Sequence, residues 1–285
     1  MAKTQDLKRR IRSVRNTMQL TKAMKMVAAS KLRRSQERIL RARPYAERML
    51  RVLRSLAARA DTDEHRLLQS HGDSRIELAV LTADKGLCGA FNAGIIRTAE
   101  AFAREQAGKQ VKINAIGKKG RDYFARRYET SRQWIDVFRR VEPAKAKEIG
   151  ADLIRRYLAE EVDEIHLVYN EFKSAIQCRP VVQRLLPIEP AELESAEDAG
   201  DYLYEPEAAE IFAALLPQYV ENQIFRAMLE SAAAEHAARM TAMDSATKNA
   251  GELIESLTLT MNRVRQSSIT TEIIEVVSGA EALGG

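Results

Sequence analysis

The residues best placed for chemistry lie in LTADKGLCGAFN (81–92), where an Asp-Lys pair, a cysteine and two glycines follow the apolar run IELAVL. Such a strand-to-helix turn can cradle a phosphate on its backbone amides. A P-loop needs GxxxxGK[ST], so that lysine and hydroxyl reach phosphate and magnesium from a helix start. Here Lys85 precedes Gly86, and Ala90 and Phe91 follow Gly89 where lysine and hydroxyl belong. The dinucleotide fingerprint GxGxxG is missing as well. GKKG (117–120) offers two lysines at a second turn, a pattern common by chance. The spacing reads as a structural turn.

Other reactive groups fare no better. Cys88 has no histidine near it in sequence, so a buried thiol is its default reading. Cys88 and Cys178 sit far apart, which indicates neither a disulfide framework nor a zinc site. His65, His71, His166 and His236 form no HxH or HExxH pair, and Asp152, Asp163, Glu160 and Glu161 read as helix surface. The expectation is a chain with no catalytic, cofactor-binding or metal-binding residues, and so not an enzyme by itself.

The elements that position the turn alternate. RIELAVLT (75–82), VKINAIG (111–117), QWIDVF (133–138), EIHLVYNEF (164–172) and CRPVVQRLLPI (178–188) read as strands. Between them, 90–106, 119–128 and 143–161 read as helices, the last opening on Pro143 where proline is tolerated. This order predicts a Rossmann-like α/β domain over 73–190 with a largely parallel sheet. The acidic stretch 191–206 reads as a surface loop.

Two segments poor in glycine and proline flank this centre. In the first, over 1–60, Leu7, Ile11, Val14, Met18, Thr21, Lys25, Ala28, Leu32, Ser35 and Ile39 step by 4 and 3, the seam of a coiled coil. A second strip of Leu20, Ala23, Met24 and Val27 suggests contact on another side. In the last, over 207–285, Ala250, Leu253, Leu257, Met261, Val264 and Ser268 keep helical spacing. SSITTEIIEVV (267–277) is β-branched enough for a strand, yet Ile269, Ile273 and Val276 hold the helical period. The predicted fold class is therefore α/β plus long helices, with the two terminal helices paired as an antiparallel coiled coil. An ordinary helical bundle is the bland alternative.

Charge is uneven. Residues 1–43 hold fourteen Lys and Arg against Asp6 and Glu37, a surplus of +12, so the remainder carries −7 of the net +5. A basic arm calls for an acidic partner. Nucleic acid is disfavoured, because an apolar seam runs through the charges and no aromatic precedes Tyr45 for base stacking. No apolar run approaches membrane-span length, and MAKTQDLKRR lacks an apolar signal region.

With these pieces in place, the sequence resembles the gamma subunits of F-type ATP synthases, of the bacterial type. The match rests on IRSVRNTMQLTKAMKMVAASKLRRSQ (11–36), TADKGLCGAFN (82–92) and RMTAMDSATKNAGELIESLTLTMNRVRQSSITTEIIEVVSGAEAL (239–283). The resemblance implies a rotary shaft inside a hexamer of alternating alpha and beta subunits. Its foot rests on the membrane rotor ring beside epsilon, with membrane contact only through the complex on the cytoplasmic face of the plasma membrane. It implies that Met24 and Lys25 face an acidic loop of beta. Arg265, Gln266, Thr270 and Glu272 match positions that hydrogen-bond a catch loop of beta, and Ile273, Ile274, Val276 and Val277 form an apolar tip. Asp84, Lys85, Gly86, Leu87, Cys88 and Gly89 match a family signature, legible here only as a turn. Chloroplast members carry an inserted cysteine pair that acts as a redox switch; none occurs here, so no thiol regulation is expected. Two rivals remain at this stage, a nucleotide-binding α/β enzyme with helical extensions and a basic coiled-coil nucleic-acid-binding protein.

Overall fold

The computed structural model describes residues 2–57, 65–174, 177–189 and 204–284. Of the expected surface loop 191–206, residues up to 203 lie outside them, as do residues 58–60 of the first segment. The chain divides into two compact units, one of Ala29–Arg239 and one of Met1–Ala28 with Met240–Gly285.

The larger unit is built on a five-stranded sheet. Its strands are β1 (Arg75–Leu81), β2 (Gln110–Ile116), β3 (Thr130–Trp134), β4 (Glu164–Phe172) and β5 (Cys178–Leu186) in spatial order β3-β2-β1-β4-β5. β1 pairs parallel with β2 and β4, β2 parallel with β3, and β5 closes the edge antiparallel to β4. Central β1 is buried on both faces, which is why its residues from Leu78 to Leu81 are all apolar. Its buried charge, Glu77, is fully enclosed and answered by Asn114 Nδ2 at 2.9 Å, Ser131 Oγ at 2.7 Å and Arg156 at 3.3 Å. Buried carboxylates persist only when paired in this way.

Period-2 alternation sorts the β1 residues between two cores. Leu78 and Val80 pack with Phe91, Ile95 and Ala99 of α2 (Phe91–Glu105) and Phe124 of α3 (Lys118–Phe124). Ala79 and Leu81 face Ile149 and Leu153 of α4 (Pro143–Leu158), Leu53 of α1 (Ala2–Ala57) and Leu216 and Ile224 of α5 (Ala208–Gly284). The expected strand 133–138 is corrected: the strand runs 130–134, and Val137–Arg139 form a 3-10 turn. Asp136 takes a left-handed φ of 58° just before that turn, which ends any extended run.

In the smaller unit the terminal segments of α1 and α5 run antiparallel. Thr21 meets Thr247 at 2.8 Å between hydroxyls, and Lys25 meets Asp244 at 2.6 Å. Ile11, Thr21 and Ala28 of the α1 seam are buried, whereas Leu20 and Val27 of the second strip are 60% and 58% exposed. On α5 the seam needs one correction: Leu253 is 47% exposed, and Ile254 turns inward instead. Ala250, Ile254, Leu257, Met261, Val264 and Ser268 then step by 4 and 3, matching the α1 seam. The β-branched run 267–277 is helical, with Thr270 and Thr271 hydroxyls bonded back to the carbonyls of Gln266 and Ser267 at 3.0 Å. That back-bonding lets hydroxylated β-branched residues sit within a helix.

Candidate functional site

The turn after β1 is bonded in every direction. Thr82 N donates to Ile116 O at 2.8 Å, prolonging the β1–β2 ladder, and Thr82 Oγ1 accepts from Gly120 N at 2.7 Å. Ala83 O accepts from Lys119 N at 3.1 Å, while Ala83 N donates to Asn92 Oδ1 at 2.9 Å. Asp84 Oδ1 accepts from Lys118 N at 3.0 Å and Asp136 N at 3.1 Å, and its Oδ2 from Phe138 N at 3.4 Å. The amides of Lys118, Lys119 and Gly120, at the start of α3, are those a phosphate would seek. All three are taken by Asp84, Ala83 and Thr82.

The glycines of GKKG have a steric reason. A Cβ on Gly117, whose φ is +109°, would stand 1.9 Å from Thr82 O, and one on Gly120 would stand 2.8 Å from Thr82 Oγ1. They allow α3 to close on Thr82. Within the signature turn, Leu87 and Gly89 adopt left-handed φ of 61° and 56°, and Lys85 and Leu87 are exposed. Cys88 is buried, accepts from Asn92 Nδ2 at 3.2 Å, and its thiol is pushed up by burial, so it is a poor nucleophile.

The carboxyl ends of β1 and β4, where the strand order reverses, are the usual ligand crevice of a doubly wound sheet. Here α5 occupies it. Ser231 Oγ accepts from Asn170 N, and Glu230 Oε2 accepts from Phe172 N, both at 3.3 Å at the end of β4. Arg239 donates to Gly86 O at 3.1 Å and to Glu235 at 2.7 Å. Ala232 belongs to one core and Ala234 to the other, so this stretch of α5 reaches both faces at the sheet's end. A cavity of about 330 Å³ remains beside the turn, with Lys31, Asp84, Glu235, His236 and Arg239 in its wall. Burial pushes His236 down to about 4 and raises the Glu235 carboxyl, the latter opposed by Arg239. Among the described residues no cluster of His, Cys, Asp and Glu could hold a metal ion.

The other sequence-singled residues lie in the coiled-coil unit. Arg265, Gln266, Thr270, Glu272, Ile273, Ile274, Val276 and Val277 are all exposed, the four aliphatic ones by 52–71%. Met24 is half-buried. Lys25 is engaged within the chain: its bond to Asp244 holds that carboxyl below the usual range, with Lys248 adding to the effect. Sequence reading missed Thr247, Asp244, Thr82 and Arg239 as partners, because each lies far along the chain from the residue it bonds.

The family model described as ATP synthase matches residues 3–283. The chain is 49% identical to an ATP synthase gamma chain from Desulforamulus reducens, covering 99% of this chain and all of that one. It is 45% identical to an ATP synthase gamma chain from Pelotomaculum thermopropionicum over the same shares. Its fold is similar to a chain of the central stalk and c-ring of the Tetrahymena thermophila mitochondrial ATP synthase. That likeness has a TM-score of 0.61 at 26% identity, covering 80% of this chain and 99% of that chain.

Proposed function

The chain belongs to the gamma-chain family of ATP synthases, and from that premise we propose that it is the complex's central rotor shaft. It couples ion flow through the membrane sector to ATP synthesis and hydrolysis without doing the chemistry itself. The observation that carries this reading is the contrast between a sealed sheet unit, whose ligand crevice holds α5, and a coiled coil whose aliphatic side chains at 273–277 face solvent.

The shaft works by linkage. An asymmetric surface presented differently to each of three beta subunits biases each toward a different nucleotide state, and occupancy of those sites drives the shaft in return. Arg265, Gln266, Thr270 and Glu272 offer polar groups to a loop of beta that can hold one angle and release it, since each bond is modest in water. Ile273, Ile274, Val276 and Val277 turn in an apolar sleeve formed by the alpha–beta hexamer, where contacts without direction pin no angle. Met24 faces an acidic loop of beta. Lys25 differs from the others, because its ammonium already holds Asp244. The sheet unit is the foot, resting on the membrane rotor ring with epsilon beside it. No described helix is long and apolar enough to cross a membrane, so attachment to the cytoplasmic face of the plasma membrane runs through the ring.

A rotation assay tests the reading. With the hexamer immobilised and a bead on the sheet unit, ATP should drive unidirectional steps of the bead. A bead that stays still while ATP is hydrolysed would exclude the shaft.

A further inference from the structure

We infer that Lys25 is a positioning residue of the shaft, acting through Asp244 of the opposing helix to fix how the two helices align, and not through a partner subunit. The inference rests on the shaft reading and reassigns one of its residues. Lys25 Nζ lies 2.6 Å from Asp244 Oδ1, and Asp244 Oδ2 is 3.4 Å from Lys248 one turn along its own helix. One turn from Lys25, Thr21 is 8% exposed and shares a hydroxyl–hydroxyl bond of 2.8 Å with Thr247. The hydroxyls of Thr21 and Thr247 also lie within hydrogen-bond distance of the carbonyls of Met18 and Met243 in their own helices.

Short side chains lie at and beside these two polar layers. Thr21 and Ala28 on one helix, with Thr247 and Ala250 on the other, are short side chains. Short knobs fill shallow holes, so packing alone resists sliding weakly here, and directional pairs decide the register. A slip of one heptad would set Lys25 against Gly251 in one direction, or Asp244 against Met18 in the other. Each slip strands a charge beside a residue that cannot answer it. With the side chains 43% and 35% exposed, the pair adds little to overall stability. Its effect lies in selecting one alignment of the two helices. That alignment sets which face Arg265, Gln266 and Thr270 present, since they continue the same helix as Asp244.

A lysine that serves a partner and one that serves Asp244 give opposite results when the charges are exchanged. In the whole complex reconstituted into vesicles, ATP-driven proton pumping is divided by ATP hydrolysis for K25D, D244K and the K25D/D244K exchange. Each single reversal should lower the ratio by about threefold or more, and the exchange should bring it back to within about 1.5-fold of the parent. An exchange no better than its worse single would overturn the inference, as would singles that leave the ratio unchanged. Where a single reversal blocks assembly, assembly becomes the readout: its recovery in the exchange supports the pairing, and its absence overturns it. Rotation of the parent complex keeps the two failures apart, since a bead that turns without rescue by exchange sinks the pairing alone.

Discussion

The turn at 82–92 and the helix end at 265–277 are both rich in groups that could bind something, yet they spend them in opposite ways. At the turn, one carboxylate, one hydroxyl and one carbonyl consume the amides at the start of α3, and Arg239 takes up the carbonyl of Gly86. At the helix end Ile273, Ile274, Val276 and Val277 are more than half exposed, and Arg265, Gln266, Thr270 and Glu272 are exposed with them. A stretch that resembles a binding loop is thus finished internally, and a stretch with no ligand-binding fingerprint leaves its side chains exposed. Motif shape indicates where chains turn; unspent groups indicate where partners come.

If the turn is internally closed, disturbing its closure should cost the fold most. Gly117→Ala drives a Cβ into Thr82 O at a φ of +109°. The expected loss is about 4 kcal/mol, from strain and overpacking together, read as a lower urea midpoint. An unchanged midpoint would mean that α3 and the turn are not locked.

His236 sharpens the same side of the comparison at a smaller scale. Burial first, then Arg239 and Lys31, lower it from 6.5 to about 4, so the folded chain holds it neutral while the unfolded chain protonates. Between these values the unfolded state binds more protons, and stability falls as pH drops from about 6.5 towards 4. After discounting for partial solvent contact, the loss amounts to about 2 kcal/mol. His236→Phe should remove that slope from the urea midpoint measured against pH. A slope of equal size in the variant would assign the effect to other groups.

How much of this was legible beforehand follows from the range of the forces involved. The α1 seam could be read from spacing alone, because helical periodicity is local; on α5 the same reasoning chose Leu253 where Ile254 turns inward, a one-residue error that aliphatic composition cannot resolve. The strand at 133–138 was misplaced because Gln133–Phe138 has the right residue types, and only the left-handed Asp136 breaks it. DKGLCG showed itself as a turn, but its purpose did not. That depends on Gly117 and Arg239 meeting it from distant parts of the chain. Spacing puts Lys25 in the α1 seam and the resemblance turns it toward beta, but Asp244 stands in none of the stripes legible in the last segment.

The most direct test of the shaft removes its outward end. Deleting residues 269–285 should shift the urea midpoint of the sheet unit by less than about 0.5 kcal/mol, as for surface changes generally. In the assembled complex the same deletion should lower proton pumping per ATP hydrolysed. A complex that pumps as well as the parent would contradict the account, and so would a sheet unit that unfolds with its tip gone.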